Sequence, residues 1–554
     1  MTATGLAAAG VLWNAERSAA HLKLAAASLA FCIALMLLIV GDLERATVLA
    51  LVIVAAIHGA STLKYVHSGL KLTVTDLPLL LAGTVPFFFV QYPFAVASAL
   101  IGLLGLTAAA LAAVLYLPGP PVPLAVQIAF LALAALALML AYRASGGAMA
   151  MQRIAAQPRC FYSAFVASLL DPRSWRQFGG FVLSDIADDP LPLLPATPAK
   201  RQTYPDIIVI QHESIFDPRL YGLPVGALVE DFLTPPQGLH GRLNVDIFGG
   251  GSWQSEFSLL TGLSSASFGS NGYFVFERGA GCFHHSLPKT LDALGYATTL
   301  TSSCRRGFLN YDNFYREIGM RERVFIDDFP PPFDLEKFET TNSDSAFLQA
   351  ALNRHADAIA AASGPRFLYM LTNYNHGPHS RRLVAMGQFE KQRAFAMASL
   401  PDATYAEYYA RLVETADVWQ RLKSDLMARF PDRPMLVIHY GDHQPVMTRR
   451  IQSQLQLASD ERRQFQTFYA MEMLNDPTAP MISGRGPNLD IAFLGTVALQ
   501  QAGLPLDPIF ATRASLREQC GDGYFASASE RKRRFHRTLV DLGLIDIGQP
   551  ASGH

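Results

Sequence analysis

The sequence is short of charge. Only 16% of its 554 residues are Asp, Glu, Lys or Arg, and residues 77–142 contain none of them. A segment of that length cannot be the surface of a water-soluble domain, because soluble helices carry a polar face. The formal net charge is −1 and no basic stripe is present, which argues against a nucleic-acid partner.

Cysteine is scarce as well. There are five cysteines: Cys32 lies in an apolar run, and the others are Cys160, Cys282, Cys304 and Cys520. Their spacing fits no zinc-binding pattern. In an oxidising compartment the last four could form one or two disulfides, and the sequence does not give the pairing.

The uncharged residues belong to a series of apolar runs near the start of the chain. About 20 apolar residues in a helix are enough to cross the hydrocarbon core of a bilayer. Polar or proline-rich stretches separate the runs. The sequence predicts five transmembrane helices, at about 24–40, 46–63, 77–90, 94–116 and 123–142.

Basic residues predict the orientation of these helices. Arg17 and Lys23 precede the first run, and Lys64 and Lys71 follow the second. Loops rich in Lys and Arg stay in the cytoplasm, so the amino terminus is predicted to lie inside. With five spans, the remainder of the chain then lies on the outer side of the membrane.

Composition divides the chain into three parts. Residues 1–143 form the predicted transmembrane anchor, and residues 144–204 contain juxtamembrane helices and a proline-rich linker. Residues 205–546 have the composition of an ordinary globular domain and are predicted to form an extracytoplasmic domain. The fold class is therefore a five-helix transmembrane bundle followed by an α/β outer domain.

Short apolar runs in the outer domain alternate with helical patterns. Such runs are typical of strands that are covered on both faces. Their alternation with helices predicts an open, mostly parallel central sheet, whose ligands bind beyond the carboxyl ends of the strands. The four runs are 205–211, 243–249, 366–373 and 434–441.

Polar side chains follow each of these predicted strands. Glu213 follows the first run, Ser252 the second, His376 the third, and Asp442 and His443 the fourth. Carboxylates with one imidazole suit manganese, zinc or magnesium. A hydroxyl that binds the same ion loses its proton more easily and becomes a nucleophile.

Three consecutive glycines, 249–251, stand directly before Ser252. They would let a phosphate approach the start of the helix that follows, where free backbone N–H groups favour an anion. Alternatively, Ser252 is only the N-cap of that helix and Glu256 a routine residue of its first turn. The convergence of metal-type residues on one sheet edge favours the functional reading.

Other candidates have two readings each. His376 and His379 flank a Gly-Pro turn, and either could bind phosphate, pass a proton or serve only as a surface group. Arg305 and Arg306 could clamp a phosphate or lie solvated. Asp76, at the start of the third apolar run, is a functional candidate because acids are rare in membrane spans.

Taken together, the motifs resemble those of a known family. They are E-S at 213–214, G-G-G-S-x-x-x-E-F at 249–257, L-T-G-L at 260–263, H-G-P at 376–378 and G-D-H at 441–443. This set resembles the sulfatase-like branch of the alkaline phosphatase superfamily. Within that branch it is most similar to membrane-anchored phosphoglycerol transferases, the lipoteichoic acid synthase and periplasmic glucan type. The resemblance covers most of residues 200–510.

The resemblance implies a site and a reaction. Ser252 would be the nucleophile, and Glu213, Ser252, Asp442 and His443 would bind one divalent metal ion, manganese, with magnesium or zinc as alternatives. His376 would contact the phosphoglycerol. The donor would be phosphatidylglycerol and the acceptor an envelope glycan such as periplasmic glucan. The protein would lie in the bacterial inner (plasma) membrane, with its alkaline phosphatase-like catalytic domain on the periplasmic side.

The sequence departs from the family pattern in two places. The usual nucleophile of this branch is threonine, whereas this chain has Ser252. A Trp-Asn-Arg stretch that helps to hold the glycerol headgroup reads Leu309-Asn310-Tyr311 here, which leaves the headgroup open. Arg305 or Arg306 could take the place of the missing arginine.

Several other functions remain open. A true sulfatase needs a C/S-x-P-x-R motif, which is absent after Ser252. A phosphoethanolamine transferase uses the same nucleophile logic, usually with zinc and several disulfides. A sulfatase-like phosphoester hydrolase and a non-enzymatic, membrane-tethered binding or sensing protein are the remaining alternatives.

Overall fold

The computed structural model describes most of the chain as two compact units, residues 1–179 and 180–554. The boundary between the units falls inside the predicted juxtamembrane segment, and the predicted domain limits stay a prediction. The residues described are 16, 19–68, 71–76, 93–117, 119–146, 159–171, 174–175, 183, 185–329, 344–361, 363–458, 460, 462–476, 483–527 and 529–547.

Long apolar helices make up most of the first unit. Four of them are long and apolar enough to cross a membrane. They coincide with the first, second, fourth and fifth predicted spans. The third predicted span, 77–90, lies outside the described residues, so the number five stays a prediction. The helices are α1 (Ala19–Val40), α2 (Leu43–Ser68), α3 (Pro93–Tyr116), α4 (Leu124–Ala144) and the shorter α5 (Phe161–Leu170).

Asp76 has a structural role in this unit. It ends a single 3₁₀ turn, Val74–Asp76. Its carboxylate pairs with Lys64 Nζ at 2.6 Å and accepts the backbone N–H of Thr73 at 2.6 Å. These contacts account for a buried acid at this position without a functional role.

The second unit is built around one mixed sheet. The strand order is β4-β3-β5-β1-β6-β7-β2-β8, and β9 also pairs with β2. The five strands from β4 to β6 are mutually parallel, and only β7 runs antiparallel to its neighbours. The strands are β1 (Asp206–His212), β2 (Leu239–Asn244), β3 (Ala297–Ser302), β4 (Glu322–Phe325), β5 (Arg366–Leu371), β6 (Met435–Gly441), β7 (Gln466–Leu474), β8 (Gly484–Arg485) and β9 (Leu489–Asp490).

Helices cover both faces of this sheet. One hydrophobic core contains Phe257 and Phe314, and the other contains Phe232 and Trp419. This double cover explains why β1, β5 and β6 read as continuous apolar runs, and the predicted α/β class is confirmed. The helices are α6 (Ala227–Leu233), α7 (Trp253–Thr261), α8 (Val275–Arg278), α9 (Leu287–Ala293), α10 (Tyr311–Glu317), α11 (Asp344–Ala361), α12 (Glu390–Ser399), α13 (Ala403–Arg429), α14 (Met447–Gln454), α15 (Leu494–Gln501), α16 (Pro508–Cys520) and α17 (Glu530–Asp541).

One predicted strand is wrong over most of its length. The run 243–249 was expected to be a strand, but β2 ends at Asn244. Beyond it, the Asp246 carboxylate accepts hydrogen bonds from Ser258 Oγ at 2.9 Å and the backbone N–H of Ser265 at 2.6 Å. These bonds turn the chain toward α7, which an extended strand could not reach. The apolar pattern there reflects a buried loop.

All five cysteines are described, and no two of them form a disulfide in this structure. Cys160 and Cys282 are buried, and the other three are partly buried. None of the disulfides that the composition allowed is formed among them.

Candidate active site

Two neighbouring strands bring the first candidate residues together. Strands β1 and β6 are parallel, with His212 paired to Gly441 at their carboxyl ends. Glu213 and Asp442 are the next residues of each chain segment and therefore lie side by side. With His443 they form a buried group whose ligand atoms all lie within 4.8 Å of one another.

The imidazole of His443 faces both carboxylates through one nitrogen. Its Nε2 lies 3.3 Å from Glu213 Oε1 and 3.6 Å from Asp442 Oδ2. Its Nδ1 lies 3.1 Å from the carbonyl oxygen of Gln444, so a proton on Nδ1 donates to that carbonyl. In the neutral ring Nε2 is then a lone-pair donor, as a metal ligand requires.

Ser214 organises the two carboxylates from a strained backbone position. Its φ is +55°, in the left-handed region that residues other than glycine rarely adopt. Its N–H donates to Asp442 Oδ1 at 2.7 Å, and its hydroxyl donates to Glu213 Oε1 at 2.7 Å. Among the described residues Asp442 Oδ2 is buried without a hydrogen-bond partner. That oxygen is available to a cation.

The charges of this group favour the binding of a cation. Burial opposes the ionisation of Glu213, but the charge and hydrogen bond of His443 outweigh it and hold its pKa below the usual range. Burial and the Glu213 charge raise the pKa of Asp442 to about 8. Burial lowers the pKa of His443, yet the two carboxylates raise it to about 9. Two buried acids thus share the protons around one base, and a divalent cation would replace those protons.

The triglycine stretch bends the chain into this group. Gly249, Gly250 and Gly251 have φ angles of +83°, +147° and +95°. Side-chain-bearing residues rarely adopt such angles, so glycine is required at successive positions. The N–H of Gly249 donates to the carbonyl of Gln444 at 2.9 Å and joins this turn to the loop of His443.

Ser252 follows the turn and directs its hydroxyl into the cluster. Its Oγ donates to Glu213 Oε2 at 3.0 Å and lies 3.4 Å from His443 Nε2. Although Ser252 immediately precedes α7, its side chain makes no capping hydrogen bond. The contacts of the hydroxyl thus favour a functional role over helix capping, and the nucleophile assignment stays a prediction.

The two histidines of the Gly-Pro turn have different surroundings. His376 is half-buried, its Nδ1 lies 2.7 Å from the carbonyl of Gly377, and its charge contributes to the low pKa of Glu213. His379 is buried, and its Nε2 lies 2.8 Å from the carbonyl of Asn375. Burial and the charge of Arg411 lower the pKa of His379 to about 3. His376 remains the substrate-binding candidate, and His379 is structural.

Sequence reasoning missed the residue that holds this turn. Arg411 is fully buried in α13, and its guanidinium donates to the carbonyls of His376 at 2.9 Å and Pro378 at 3.3 Å. Its Nε donates to Glu407 at 3.1 Å, which balances the buried charge. An arginine in the middle of a helix gives no signal in the sequence that would separate it from a solvated one.

Glu256 also has a larger role than a routine first-turn acid. It is buried, and its Oε1 accepts hydrogen bonds from Gln211 Nε2 at 3.1 Å and from the Tyr311 hydroxyl at 3.3 Å. Tyr315 donates to its Oε2. Burial raises the pKa of Glu256 to about 7. Tyr311 stands at the place of the missing family arginine, and its hydroxyl is thus hydrogen-bonded to Glu256.

The candidate phosphate-binding arginines differ in their surroundings. Arg306 Nη1 pairs with Asp312 at 2.8 Å and Nη2 with Asp328 at 2.6 Å, so its charge is already compensated. Arg305 is exposed. Arg449 of α14, which the sequence reasoning did not consider, stacks 4.4 Å from the ring of Phe248, directly before the triglycine turn.

Comparison with known proteins supports the assignment drawn from the motifs. The Sulfatase family profile matches residues 205–468. An uncharacterized protein of Haemophilus influenzae is 24% identical over 339 residues, which are 59% of this chain and 59% of that protein. The chain thus spans less than two thirds of that relative. The profile match confirms the resemblance to the sulfatase-like family.

Three solved structures are similar in fold. A lipooligosaccharide phosphoethanolamine transferase A (EptA) from Neisseria meningitidis is 12% identical, with a TM-score of 0.49 over 92% of this chain and 85% of that one. The Streptococcus pyogenes phosphoglycerol transferase GacH is 15% identical, with a TM-score of 0.45 over 62% and 86%. The lipoteichoic acid synthase LtaP from Listeria monocytogenes is 14% identical, with a TM-score of 0.43 over 56% and 76%.

Proposed function

Because residues 205–468 match the Sulfatase family profile, we propose that this chain is a metal-dependent phosphoglycerol transferase. Phosphatidylglycerol is the donor, and a hydroxyl of an envelope glycan, such as periplasmic glucan, is the acceptor. Ser252 carries the phosphoglycerol group between them. The observation that carries the proposal is the 3.0 Å hydrogen bond from Ser252 Oγ to Glu213, which holds a hydroxyl inside a cluster of metal-type side chains.

The reaction consists of two displacements at phosphorus. In the first, Ser252 Oγ forms a bond to the phosphorus of phosphatidylglycerol, and the bond from phosphorus to the diacylglycerol oxygen breaks. The Ser252 proton moves toward Glu213 Oε2, and diacylglycerol leaves as an alcohol after taking up a proton. In the second, a glycan hydroxyl loses its proton and attacks the same phosphorus, and Ser252 Oγ leaves and is protonated again. A covalent intermediate divides one difficult transfer into two easier ones.

The residues present fit a divalent cation. Asp442 Oδ2 accepts no hydrogen bond from the described residues, and His443 Nε2 faces it at 3.6 Å. Glu213 and the Ser252 hydroxyl complete a set of three oxygens and one nitrogen, which suits manganese, with magnesium or zinc as alternatives. When bound, the ion supplies positive charge that stabilises the phosphate oxygens and the deprotonated hydroxyl. His376 is the proposed contact to the phosphoglycerol.

A lipid donor fits the composition of the chain. Four described helices are long and apolar enough to cross a membrane. We place them in the bacterial inner membrane, with the catalytic domain on the periplasmic side. An enzyme tethered to the bilayer meets phosphatidylglycerol at a high local concentration, since attachment to the same surface restricts diffusion.

The phosphoethanolamine transferase is the nearest competing function. Enzymes of that kind usually carry several disulfides, whereas no two of the five cysteines of this chain form a disulfide in this structure. The experiment that separates the two functions compares the lipid donors directly.

The full chain is reconstituted with manganese in vesicles of phosphatidylglycerol or of phosphatidylethanolamine. Intact mass spectrometry then measures an adduct on Ser252, and the Ser252→Ala variant is the control. A glycerophosphate adduct that is absent from the variant is the expected result. A phosphoethanolamine adduct, or no adduct with either lipid while manganese is bound, would contradict the proposal.

A further inference from the structure

A layer of polar side chains lies buried beneath the candidate active site, between the sheet and the start of α7. Every member is buried, although the surrounding core is aromatic and aliphatic. We refer to it as the tyrosine layer. Its members are Gln211, Glu256, Tyr311, Tyr315, Tyr369 and Tyr440.

Hydrogen bonds connect the tyrosine layer into one network. Tyr311 and Tyr315 of α10 and the Gln211 amide donate to the Glu256 carboxylate. The side-chain oxygen Oε1 of Gln211 in turn accepts hydrogen bonds from the hydroxyl of Tyr369 at 3.1 Å and from that of Tyr440. The two tyrosine oxygens lie 2.7 Å apart. Each of these side chains has a partner, as a buried network requires.

The network connects the nucleophile to the strands that carry the predicted metal ligands. Gln211 lies on β1 two residues before Glu213, and Tyr440 lies on β6 two residues before Asp442. Glu256 is one helical turn after Ser252, and its carboxylate is the member that the helix contributes. The network therefore fixes the first turn of α7 against β1 and β6.

A second contact also joins the first turn of α7 to the end of β6. Ser255, also in the first turn of α7, donates its hydroxyl to the backbone carbonyl of Asp442 at 2.7 Å. Side chains on two faces of one helical turn thus hold it against the strand ends. The side chain of Ser252, by contrast, makes no bond to its own helix and depends on the position of that turn.

Stability alone does not explain this arrangement. A carboxyl and four hydroxyls in a hydrophobic core stabilise the fold less than apolar residues of the same volume would, because each polar group must be desolvated. Burial accordingly raises the pKa of Glu256 to about 7. What the polar layer adds is a fixed geometry, since hydrogen bonds specify direction and apolar contacts do not.

We propose that Glu256 is a positioning residue, which through the tyrosine layer holds Ser252 Oγ at the correct place and angle for attack on phosphorus. The inference rests on the proposed transferase function and extends it to a residue that does not touch the substrate. A displacement of about 1 Å in such a site can slow a reaction by about 100-fold. The other three proposed metal ligands, Glu213, Asp442 and His443, follow strands that the sheet holds and do not depend on Glu256.

The test compares Glu256→Gln and Tyr315→Phe with a matched control, Tyr469→Phe. Tyr469 is also a buried tyrosine of the sheet, and its hydroxyl donates to the carbonyl of Pro487 at 2.7 Å. Each full-length variant is reconstituted in phosphatidylglycerol vesicles. The rate of Ser252 adduct formation, the manganese affinity, the melting temperature and amide hydrogen exchange are measured.

We expect both tyrosine-layer variants to form the adduct at least about tenfold more slowly at saturating lipid. Their manganese affinity falls by a smaller factor than the adduct rate, since three of the four proposed ligands, Glu213, Asp442 and His443, are not moved. Amide exchange accelerates over residues 253–257 and stays unchanged in β1 and β6. Tyr469→Phe lowers the melting temperature comparably and leaves the adduct rate unchanged.

An unchanged adduct rate in both tyrosine-layer variants, with only a lower melting temperature, would overturn the inference and leave the network a structural feature. If the wild type forms no adduct with either lipid, the proposed function fails separately. Hydrogen exchange alone then tests the inference. If exchange over residues 253–257 in both variants matches that of the wild type, the tyrosine layer does not position this turn.

Discussion

The contacts of Ser252 distinguish its hydroxyl from that of an ordinary helix cap. A true cap in the same domain is Ser286, whose Oγ accepts the backbone N–H of Lys289 at the start of α9. Ser252 stands at the corresponding position of α7 and bonds to Glu213 instead. Both serines stand directly before a helix, but the backbone of Ser252 is helical and that of Ser286 is extended, and their side chains bond to different partners.

Substitution of Ser252 should affect adduct formation, and substitution of Ser286 should affect stability. Ser252→Ala is expected to abolish adduct formation and to leave the melting temperature almost unchanged, because no capping bond is lost. Ser286→Ala should lower the free energy of unfolding by about 1 kcal/mol and leave adduct formation intact. Ser252→Thr, the residue usual in this family, should retain activity. Mass spectrometry measures adduct formation, and thermal and urea unfolding measure stability. A Ser252→Ala enzyme that still forms the adduct would refute the nucleophile assignment.

The raised pKa of Glu256 predicts a pH dependence of stability. Its pKa is about 7 in the folded protein and 4.5 for the free side chain. Because the folded state binds the proton more tightly, this group contributes stability below pH 4.5 that is lost as the pH rises to about 7. Asp344, another buried carboxyl with a pKa raised to about 7, acts in the same direction.

Glu256→Gln should therefore gain stability relative to the wild type as the pH rises. The difference between the melting temperatures of the variant and the wild type is expected to become more positive from pH 5 to pH 8. Thermal unfolding at several pH values measures it, and Asp344→Asn is a second variant with the same sign. Parallel curves for Glu256→Gln and the wild type would contradict the prediction.

At the residue scale, the sequence predicted the clustering of those candidate residues that directly follow strands. Glu213, Asp442 and His443 could be placed together because parallel strands end at one edge of a sheet. Arg411 and Gln211 could not be found in this way. Their roles depend on which side chains a neighbouring element presents, and a buried arginine or glutamine within a helix or strand has no distinguishing pattern of its own.

Among the elements, the triglycine turn places the strictest requirement on the types of its residues. Gly251 has a φ of +95°, and an added Cβ would lie 3.2 Å from Gln254 Oε1. Gly281 has a similar φ of +82° and open space around it. It is therefore a control with the same backbone conformation at a position that the site does not use.

Alanine at either glycine should lower the free energy of unfolding by about 1 kcal/mol, because an L-residue is strained at positive φ. Only Gly251→Ala is expected to slow adduct formation, since it alone displaces the turn before Ser252. Urea unfolding and adduct kinetics on both variants measure the two effects. Equal adduct rates for the two variants would show that the turn tolerates a side chain and serves only to reverse the chain.

The elements themselves were predictable to different degrees. β1, β5 and β6 were recognisable because strands covered on both faces leave an uninterrupted apolar run. β2 was predicted a few residues too late, since the buried loop after Asn244 is equally apolar and its turn depends on the Asp246 side chain. The antiparallel β7 was not predicted, because strand direction is set by pairing, which the pattern of one strand does not record.

At the scale of the whole molecule, composition separates the two units more clearly than any motif does. The described apolar helices α1 to α4 occur only in residues 1–179, and the mixed sheet only in residues 180–554. Four of the five predicted spans correspond to described helices, while the third, 77–90, lies outside the described residues. Hydropathy sufficed for this division, because a bilayer and water demand different surfaces.

The central place of β1 and β6 has a thermodynamic consequence. Both strands are paired on either side, so the candidate ligands Glu213, Asp442 and His443 at their ends come together when the sheet forms, before any ion arrives. Loading with manganese should therefore involve no coupled folding and give a heat-capacity change near zero in titration calorimetry. Chelation should leave the far-ultraviolet circular dichroism unchanged, whereas a large negative heat-capacity change on loading would show that the site is assembled by the ion. A preformed site can be emptied and refilled many times, so one preparation could report the affinities of manganese, magnesium and zinc in turn.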